Sequence, residues 1–210
     1  MDFQLWLTFA TASIVLLLIP GPTVLLVLSY AISQGRQVAL ATVAGVALGD
    51  LLAMSASLAG LGALVLASAT LFTILKWIGA IYLAYLGIKL FRSAPSSALG
   101  VLAEAPATTP ARVFAHSAMV TAFNPKSIVF FIAFVPQFIS PETALPPQFA
   151  LLIATFVSFA ALNTLAYALL ADKLRRRIAR PSVLPHLTRL GGVALVIMGV
   201  ATAAVRRSTP

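Results

Sequence analysis

The chain has 210 residues, of which 60% are hydrophobic and 9% are charged, and its mean hydropathy is +1.03. Soluble domains carry about 25% charged residues, so the composition excludes an ordinary soluble domain and indicates helices that share one core within a lipid bilayer. The formal net charge of +9 does not indicate a nucleic-acid partner, because the basic residues lie between apolar stretches, where they orient a membrane protein.

Six apolar stretches follow one another along the sequence, and each can cross about 30 Å of hydrocarbon as a helix. They are residues 5–29, 38–66, 71–91, 113–138, 149–170 and 187–205. We therefore predict an all-α integral membrane protein of about six transmembrane helices, with a five-helix count as the alternative. Residues 93–112 are mostly Ala, Pro, Ser and Thr and predict a polar linker within one membrane domain, 1–210. The linker separates a first three-helix half, 1–92, from a second, 113–210.

The first stretch contains Pro20-Gly21-Pro22 deep within its apolar run, and we predict that the helix is broken there. The two prolines remove two amide donors and push the preceding residues out of helical geometry. In lipid a break persists only where it faces protein or a water-filled cavity. The amides of a half-helix N-terminus then attract anions such as a carboxylate. A packed proline kink is the structural alternative.

Asp50 lies near the middle of the second stretch, among apolar and small residues. A carboxylate at that depth costs about 2.5–3.5 kcal/mol on insertion scales, so it is expected to face a cavity or a partner. It can hold a substrate ammonium or carry a proton. The structural alternative is an ion pair or a neutral, hydrogen-bonded Asp between helices. Gly45 and Gly49 precede it in a stripe of small residues, which favours close helix packing.

Asn124-Pro125-Lys126 in the fourth stretch repeats the proline break and adds a cation, which makes Lys126 the natural partner of Asp50. Two breaks at corresponding places of two halves predict a central binding site. In the fifth stretch, Asn163 can supply a polar contact to that cavity, although an interhelical hydrogen bond explains this residue equally well.

The two halves also show a weak internal similarity. The glycine pairs of the third and sixth stretches have the same spacing; they are Gly79 and Gly87, and Gly191 and Gly199. The polar residues Asp50 and Asn163 mark the second and fifth stretches. Because each half crosses the membrane an odd number of times, the second enters upside down relative to the first. We therefore predict an inverted repeat whose halves rock against each other.

The sequence lacks the residues that several kinds of functional site require. No cysteine is present, so disulfides, thiolate metal ligands and cysteine nucleophiles are excluded. No Gly-x4-Gly-Lys-Ser/Thr loop is present to bind ATP phosphates, which leaves an ion or proton gradient as the driving force. His116 and His186 lie near helix ends without Glu or Cys in a ligand cluster, so we predict no metal site, no cofactor and no enzymatic activity.

A series of motifs along the chain points to one family. The sequence contains Ile19-Pro20-Gly21-Pro22, then Gly45, Gly49 and Asp50, then KWIGAIYLAYLG at 76–87, then Asn124-Pro125-Lys126, Phe130-Phe131 and Pro136-Gln137-Phe138. In order, spacing and total length these motifs resemble the lysine exporter/RhtB family from end to end. The resemblance implies export of basic or small neutral amino acids, such as lysine, homoserine or threonine, out of the bacterial cytoplasm across the inner membrane. It also implies exchange for protons, as in an antiporter, and often a homodimer.

Residue chemistry and resemblance meet in one predicted site. A zwitterion needs an anion for its ammonium, which Asp50 can supply. It also needs a cation or donors for its carboxylate, which Lys126 and the opened backbone around Gly21 and Asn124 can supply. The predicted substrate-binding residues are Pro20, Gly21, Pro22, Asp50, Asn124, Pro125, Lys126 and Asn163, with Asp50 also coupling protons. A cation efflux transporter and a non-transporting membrane scaffold are the alternative functions.

Membrane orientation follows from the positive-inside rule. With both termini outside, most of the 14 lysines and arginines fall in cytoplasmic loops, and we predict this N-out, C-out topology. Single cysteines placed at Ser97 and Ser182, in a chain without native cysteines, should react with a thiol reagent only from the cytoplasmic side. Labelling of either position by an impermeant reagent added to intact cells would contradict the orientation.

Overall fold

The computed structural model describes residues 1–19, 21–34, 38–67, 69–92, 108–139, 143–171 and 183–204. All regular secondary structure within these ranges is helical, which confirms the predicted all-α class. Pro20, most of the predicted linker, Ser97 and Ser182 lie outside the described residues. The linker and the division of the chain into halves therefore stay predictions.

Eight α-helices lie within the described ranges. They are α1 (Phe3–Leu18), α2 (Pro22–Gln34), α3 (Ala39–Ala67), α4 (Ala69–Arg92), α5 (Pro110–Ala122), α6 (Pro125–Val129), α7 (Leu145–Leu169) and α8 (Val183–Ala204). Helices α3, α4 and α7 are long and apolar enough to cross a membrane, and the bent pairs α1–α2 and α5–α6 raise the candidate spans to five. The apolar part of α8, Thr188–Ala204, is shorter, so the count of six spans stays a prediction.

The bundle carries apolar side chains on its outside and polar ones within. Leu40, Ile81 and Ile197 are largely exposed, whereas Asp50 and Asn124 are buried. Soluble proteins bury few carboxylates, but a protein whose outer surface meets hydrocarbon has to direct such groups inward. This distribution agrees with the membrane location that the composition predicts.

Glycines bring two pairs of helices into backbone contact. A Cβ added at Gly49 of α3 would lie 2.5 Å from the Ala118 carbonyl oxygen of α5, and one added at Gly87 of α4 would lie 2.5 Å from the Gly192 carbonyl oxygen of α8. Only residues without a Cβ permit so close an approach, and small residues let membrane helices pack by van der Waals contact. We call these contacts the α3–α5 seam and the α4–α8 seam.

An aromatic cluster anchors the segment that follows α6. Phe130–Phe134 is π-helical and Val135–Phe138 is a 3-10 helix. Pro136 explains the change, because proline has no amide hydrogen and its ring clashes with the preceding turn. The rings of Phe131 of this segment and Phe156 of α7 meet edge to face at 4.8 Å between centroids, and both side chains are fully buried. The second half of the broken fourth span is therefore fixed to α7.

Many of the contacts between helices join the first predicted half to the second. The α3–α5 and α4–α8 seams each join one helix of the first half to one of the second, and α3 and α1 both contact α7. An internal two-fold relation would generate contacts of this kind. The inverted repeat itself stays a prediction.

The α3–α5 seam predicts the effect of adding one methyl group. Gly49→Ala places a Cβ against backbone atoms of α5, so the helices have to separate, and we expect a loss of about 1–3 kcal/mol of stability from overpacking. Gly60→Ala is the matched control, because a Cβ at Gly60 of the same helix meets nothing within 4 Å. Thermal unfolding in detergent measures both variants. Equal melting temperatures for the two would contradict the seam.

Candidate functional site

The two broken spans meet inside the bundle. Helices α1 and α2 are inclined at 58° to each other, and α5 at 42° to the helical run that starts with α6, which confirms that the first and fourth spans are broken at their proline motifs. A Cβ built on Gly21 would lie 3.5 Å from Lys126 Nζ, so the first break faces the second. The side-chain nitrogen Nδ2 of Asn124 donates a hydrogen bond to Thr23 Oγ1 at 3.2 Å, which links the two breaks further.

Asn124 also starts α6. Its side-chain Oδ1 accepts a hydrogen bond from the Lys126 amide at 3.1 Å, and Pro125 occupies the first position of the helix. Asparagine is a preferred N-cap residue, and proline suits the first helical position because its missing amide hydrogen would have no partner there. The Asn-Pro-Lys motif thus stops one helix, starts the next and places the lysine side chain at the break.

The Lys126 side chain satisfies the carbonyl end of α1. Its Nζ donates to the carbonyl oxygens of Leu16 and Ile19, each at 3.0 Å. The last four carbonyls of a helix have no partner within that helix, and in hydrocarbon an unpaired carbonyl costs several kcal/mol. The cation also lies at the negative end of the α1 dipole, which favours it further. Lys126 thereby stabilises the break.

Two residues of α7 complete this arrangement. The side-chain nitrogen Nδ2 of Asn163 donates a hydrogen bond to the Leu17 carbonyl oxygen at 3.2 Å. The Tyr167 hydroxyl donates one to the Leu18 carbonyl oxygen at 3.5 Å. Together with Lys126, they give each of the four carbonyls at 16–19 a side-chain donor. We call Lys126, Asn163 and Tyr167 the carbonyl cap. The sequence did not reveal Tyr167, although it lies one helical turn after Asn163 and so shares its face.

Asp50 does not form the expected ion pair with Lys126. The carboxylate is 2% exposed and its Oδ1 has no hydrogen-bond partner. The Lys126 ammonium attracts it electrostatically, but in the part of the chain that the structure describes the two groups make no ion pair, because the ammonium binds the α1 carbonyls instead. A buried carboxylate oxygen without a hydrogen-bond partner in the protein is costly, so a water, a ligand or a proton has to compensate it.

Asp50 faces a small polar cavity of about 30 Å³. Its other lining residues include Thr23, Asn124, Lys126 and Asn163. A single water needs about 10–15 Å³ by this measure, so the polar cavity has room for about two waters and none for an amino acid. The structure therefore holds this part of the site closed.

A larger apolar cavity of about 260 Å³ lies on the other side of the breaks. Gly21, Pro22, Asn124, Pro125 and Lys126 line it together with residues of α4 and α8. Asn124 and Lys126 border both cavities. The structure thus brings all the predicted site residues that it describes to one of two adjoining cavities; Pro20 lies outside the described residues. Their roles in binding and proton coupling stay predictions.

Discontinuous helices whose broken ends meet at buried polar groups are typical of one class of membrane protein, the secondary transporters. Residues 14–206 match the LysE type translocator family, and the chain belongs to this family. The match identifies the protein as a multi-pass membrane translocator. It agrees with the family resemblance of the motifs.

Relatives of known sequence cover almost the whole chain. An uncharacterized membrane protein of Vibrio cholerae is 34% identical over 207 residues, 98% of this chain and 100% of the relative. A homoserine/homoserine lactone efflux protein of Salmonella typhimurium is 32% identical over 208 residues, 99% and 100% of the two chains. A leucine efflux protein of Klebsiella pneumoniae is 27% identical over 198 residues, 93% and 92% of the two chains. No solved structure is significantly similar to this chain.

The carbonyl cap predicts a stability effect. Lys126→Met keeps an unbranched side chain but leaves the Ile19 carbonyl at the end of α1 without a donor, while the Leu16 carbonyl keeps only the Ile19 amide. An unsatisfied buried acceptor costs about 1–3 kcal/mol. We expect a clear fall in melting temperature in detergent. Lys89→Met is the control, because the Lys89 side chain is exposed on α4. If both variants melted at the same temperature, Lys126 would not stabilise the break.

Proposed function

We propose that this protein exports amino acids from the bacterial cytoplasm in exchange for protons, and that the substrate binds where the two helix breaks meet. The observation that carries the proposal is the buried Asp50 carboxylate, which has an unpartnered oxygen and faces the polar cavity at the breaks. The relatives named for efflux of homoserine and leucine support amino acids as the cargo.

The chemistry of the breaks suits a zwitterion. Asp50 Oδ1 is free to accept a hydrogen bond from a substrate ammonium. An ammonium has three protons, and Lys126 Nζ donates two hydrogen bonds, to the carbonyls of Leu16 and Ile19 at the end of α1. Its third proton is then available to a substrate carboxylate. Asp50 and Lys126 border one polar cavity and so offer the two opposite charges that an amino acid needs.

Proton exchange follows if one carboxylate serves two ligands in turn. In this mechanism an ionised Asp50 binds the substrate ammonium on the cytoplasmic side. On the outer side a proton replaces the ammonium, and the neutral acid returns without substrate. Because one carboxylate cannot hold a proton and an ammonium ion pair at the same time, each export cycle brings a proton inward. The proton gradient thereby drives substrate outward.

The alternative functions receive less support. A non-transporting scaffold has no use for an unpartnered carboxylate in a closed cavity, and the family is one of translocators. A cation efflux protein would need several carboxylate or imidazole ligands, whereas the polar cavity has the single carboxylate of Asp50 among its lining residues. Transport by a homodimer and the N-out, C-out orientation remain predictions from the sequence.

Asp50→Asn tests the proposal directly. The variant keeps size and hydrogen-bonding capacity, so it should fold with little change in melting temperature. Loss of a charge-assisted hydrogen bond worth about 1.5–3 kcal/mol weakens binding about 10- to 150-fold. Efflux from substrate-loaded proteoliposomes under a pH gradient should therefore collapse. Asp2→Asn is the matched control, because the Asp2 side chain makes no cap hydrogen bond at the start of α1.

The structural alternative gives the opposite pattern. If Asp50 served only to balance Lys126, Asp50→Asn would lose about 3–5 kcal/mol of stability, as when one partner of a buried pair is removed. The double variant Asp50→Asn, Lys126→Met would then be no less stable than Lys126→Met alone, because no buried cation would be left for Asp50 to balance. A destabilised Asp50→Asn variant together with that result would rule out Asp50 as the ammonium and proton site.

A further inference from the structure

The apolar cavity beside the breaks is the largest space described next to the proposed site. Leu86 and Leu90 of α4 and Leu195 of α8 line it together with residues of the two breaks, and it is open towards the outside of the bundle. We propose that it receives the substrate side chain and that the protein therefore selects amino acids with uncharged, aliphatic side chains over basic ones. This inference rests on the proposed amino-acid export and adds to it the class of substrate.

The apolar cavity adjoins the site proposed for the charged end of the substrate. Asn124 and Lys126 line both cavities, so the groups proposed to hold the charged end of the substrate also border the apolar space. An amino acid has its ammonium and carboxylate on one carbon, from which the side chain projects. With those two groups at Asp50 and Lys126, the apolar cavity is the adjoining space that can receive the side chain.

The size of the cavity suits an aliphatic side chain. Its volume is about 260 Å³, whereas an engineered apolar cavity of about 150 Å³ already binds benzene. A leucine side chain is smaller than benzene and fits without any enlargement. The polar cavity of about 30 Å³ offers no such room, so the side chain and the charged groups are assigned to different cavities.

The charges of the lining disfavour a basic side chain. The charged residues that line the apolar cavity are Lys89 and Lys126, both cationic, and the carboxylate of Asp50 lines only the polar cavity. The ammonium of a lysine side chain would enter an apolar space near two like charges without an anion to pair with it, which is unfavourable. An aliphatic side chain gains from each methylene that it removes from water.

Leu86→Phe tests the assignment by reducing the space for the side chain. Efflux of alanine, leucine and lysine is measured one at a time from loaded proteoliposomes. We expect the wild type to export leucine better than lysine. In Leu86→Phe we expect leucine export to fall about 10-fold or more, within the range by which one methylene is discriminated, while alanine export changes little. Ile88→Phe is the matched control, because Ile88 is two residues away on α4 and is exposed on the outside.

The opposite change keeps the test open if Leu86→Phe fails to fold. Leu86→Ala enlarges the cavity and should raise export of phenylalanine relative to alanine. Preferred export of lysine by the wild type would overturn the inference. Equal effects of either Leu86 variant on the export of small and large amino acids would also overturn it, and this is the result expected if a lipid chain occupied the cavity. Absence of export of any amino acid by folded wild-type protein would instead contradict the proposed function.

Discussion

Inside a membrane, the carbonyl end of a broken helix has to find its hydrogen-bond donors within the protein, because lipid offers none. In this translocator the donors come from α6 and α7, and the most polar of them is the ammonium of Lys126. The position of Lys126 determines much else. It joins the two breaks, it leaves Asp50 without an ion-pair partner, and it borders both the polar cavity and the apolar one.

The hydrogen bonds from Lys126 to the helix carbonyls also explain why the buried Asp50 carboxylate has no ion-pair partner. An ion pair between Asp50 and Lys126 would satisfy both charges and leave little for a substrate. With the ammonium held by helix carbonyls, the carboxylate is compensated only at a distance and remains open to a ligand. In the proposed mechanism, a substrate ammonium or a proton supplies the interaction that this carboxylate lacks.

The helix breaks and the burial of Asp50 could be predicted from the sequence, because proline geometry and the cost of a charge in lipid are local effects. The partner of Lys126 could not. A carboxylate and a carbonyl are both acceptors, and only the packing of α6 against α1 decides which one the ammonium reaches. Tyr167 was missed because a tyrosine fits an apolar helix face without any polar role. The apolar cavity arises from residues far apart in the chain, which no single motif reveals.

The two glycine seams have a mechanical consequence. Each seam brings the backbones of two helices together without intervening side chains, and packed backbones resist sliding more than flexible side chains do. The α3–α5 and α4–α8 seams both tie a helix of the first predicted half to one of the second. These mixed pairs, and not the two halves that the sequence analysis predicts to rock against each other, are therefore the bodies expected to move during transport. The discontinuous spans between them are where the chain can bend.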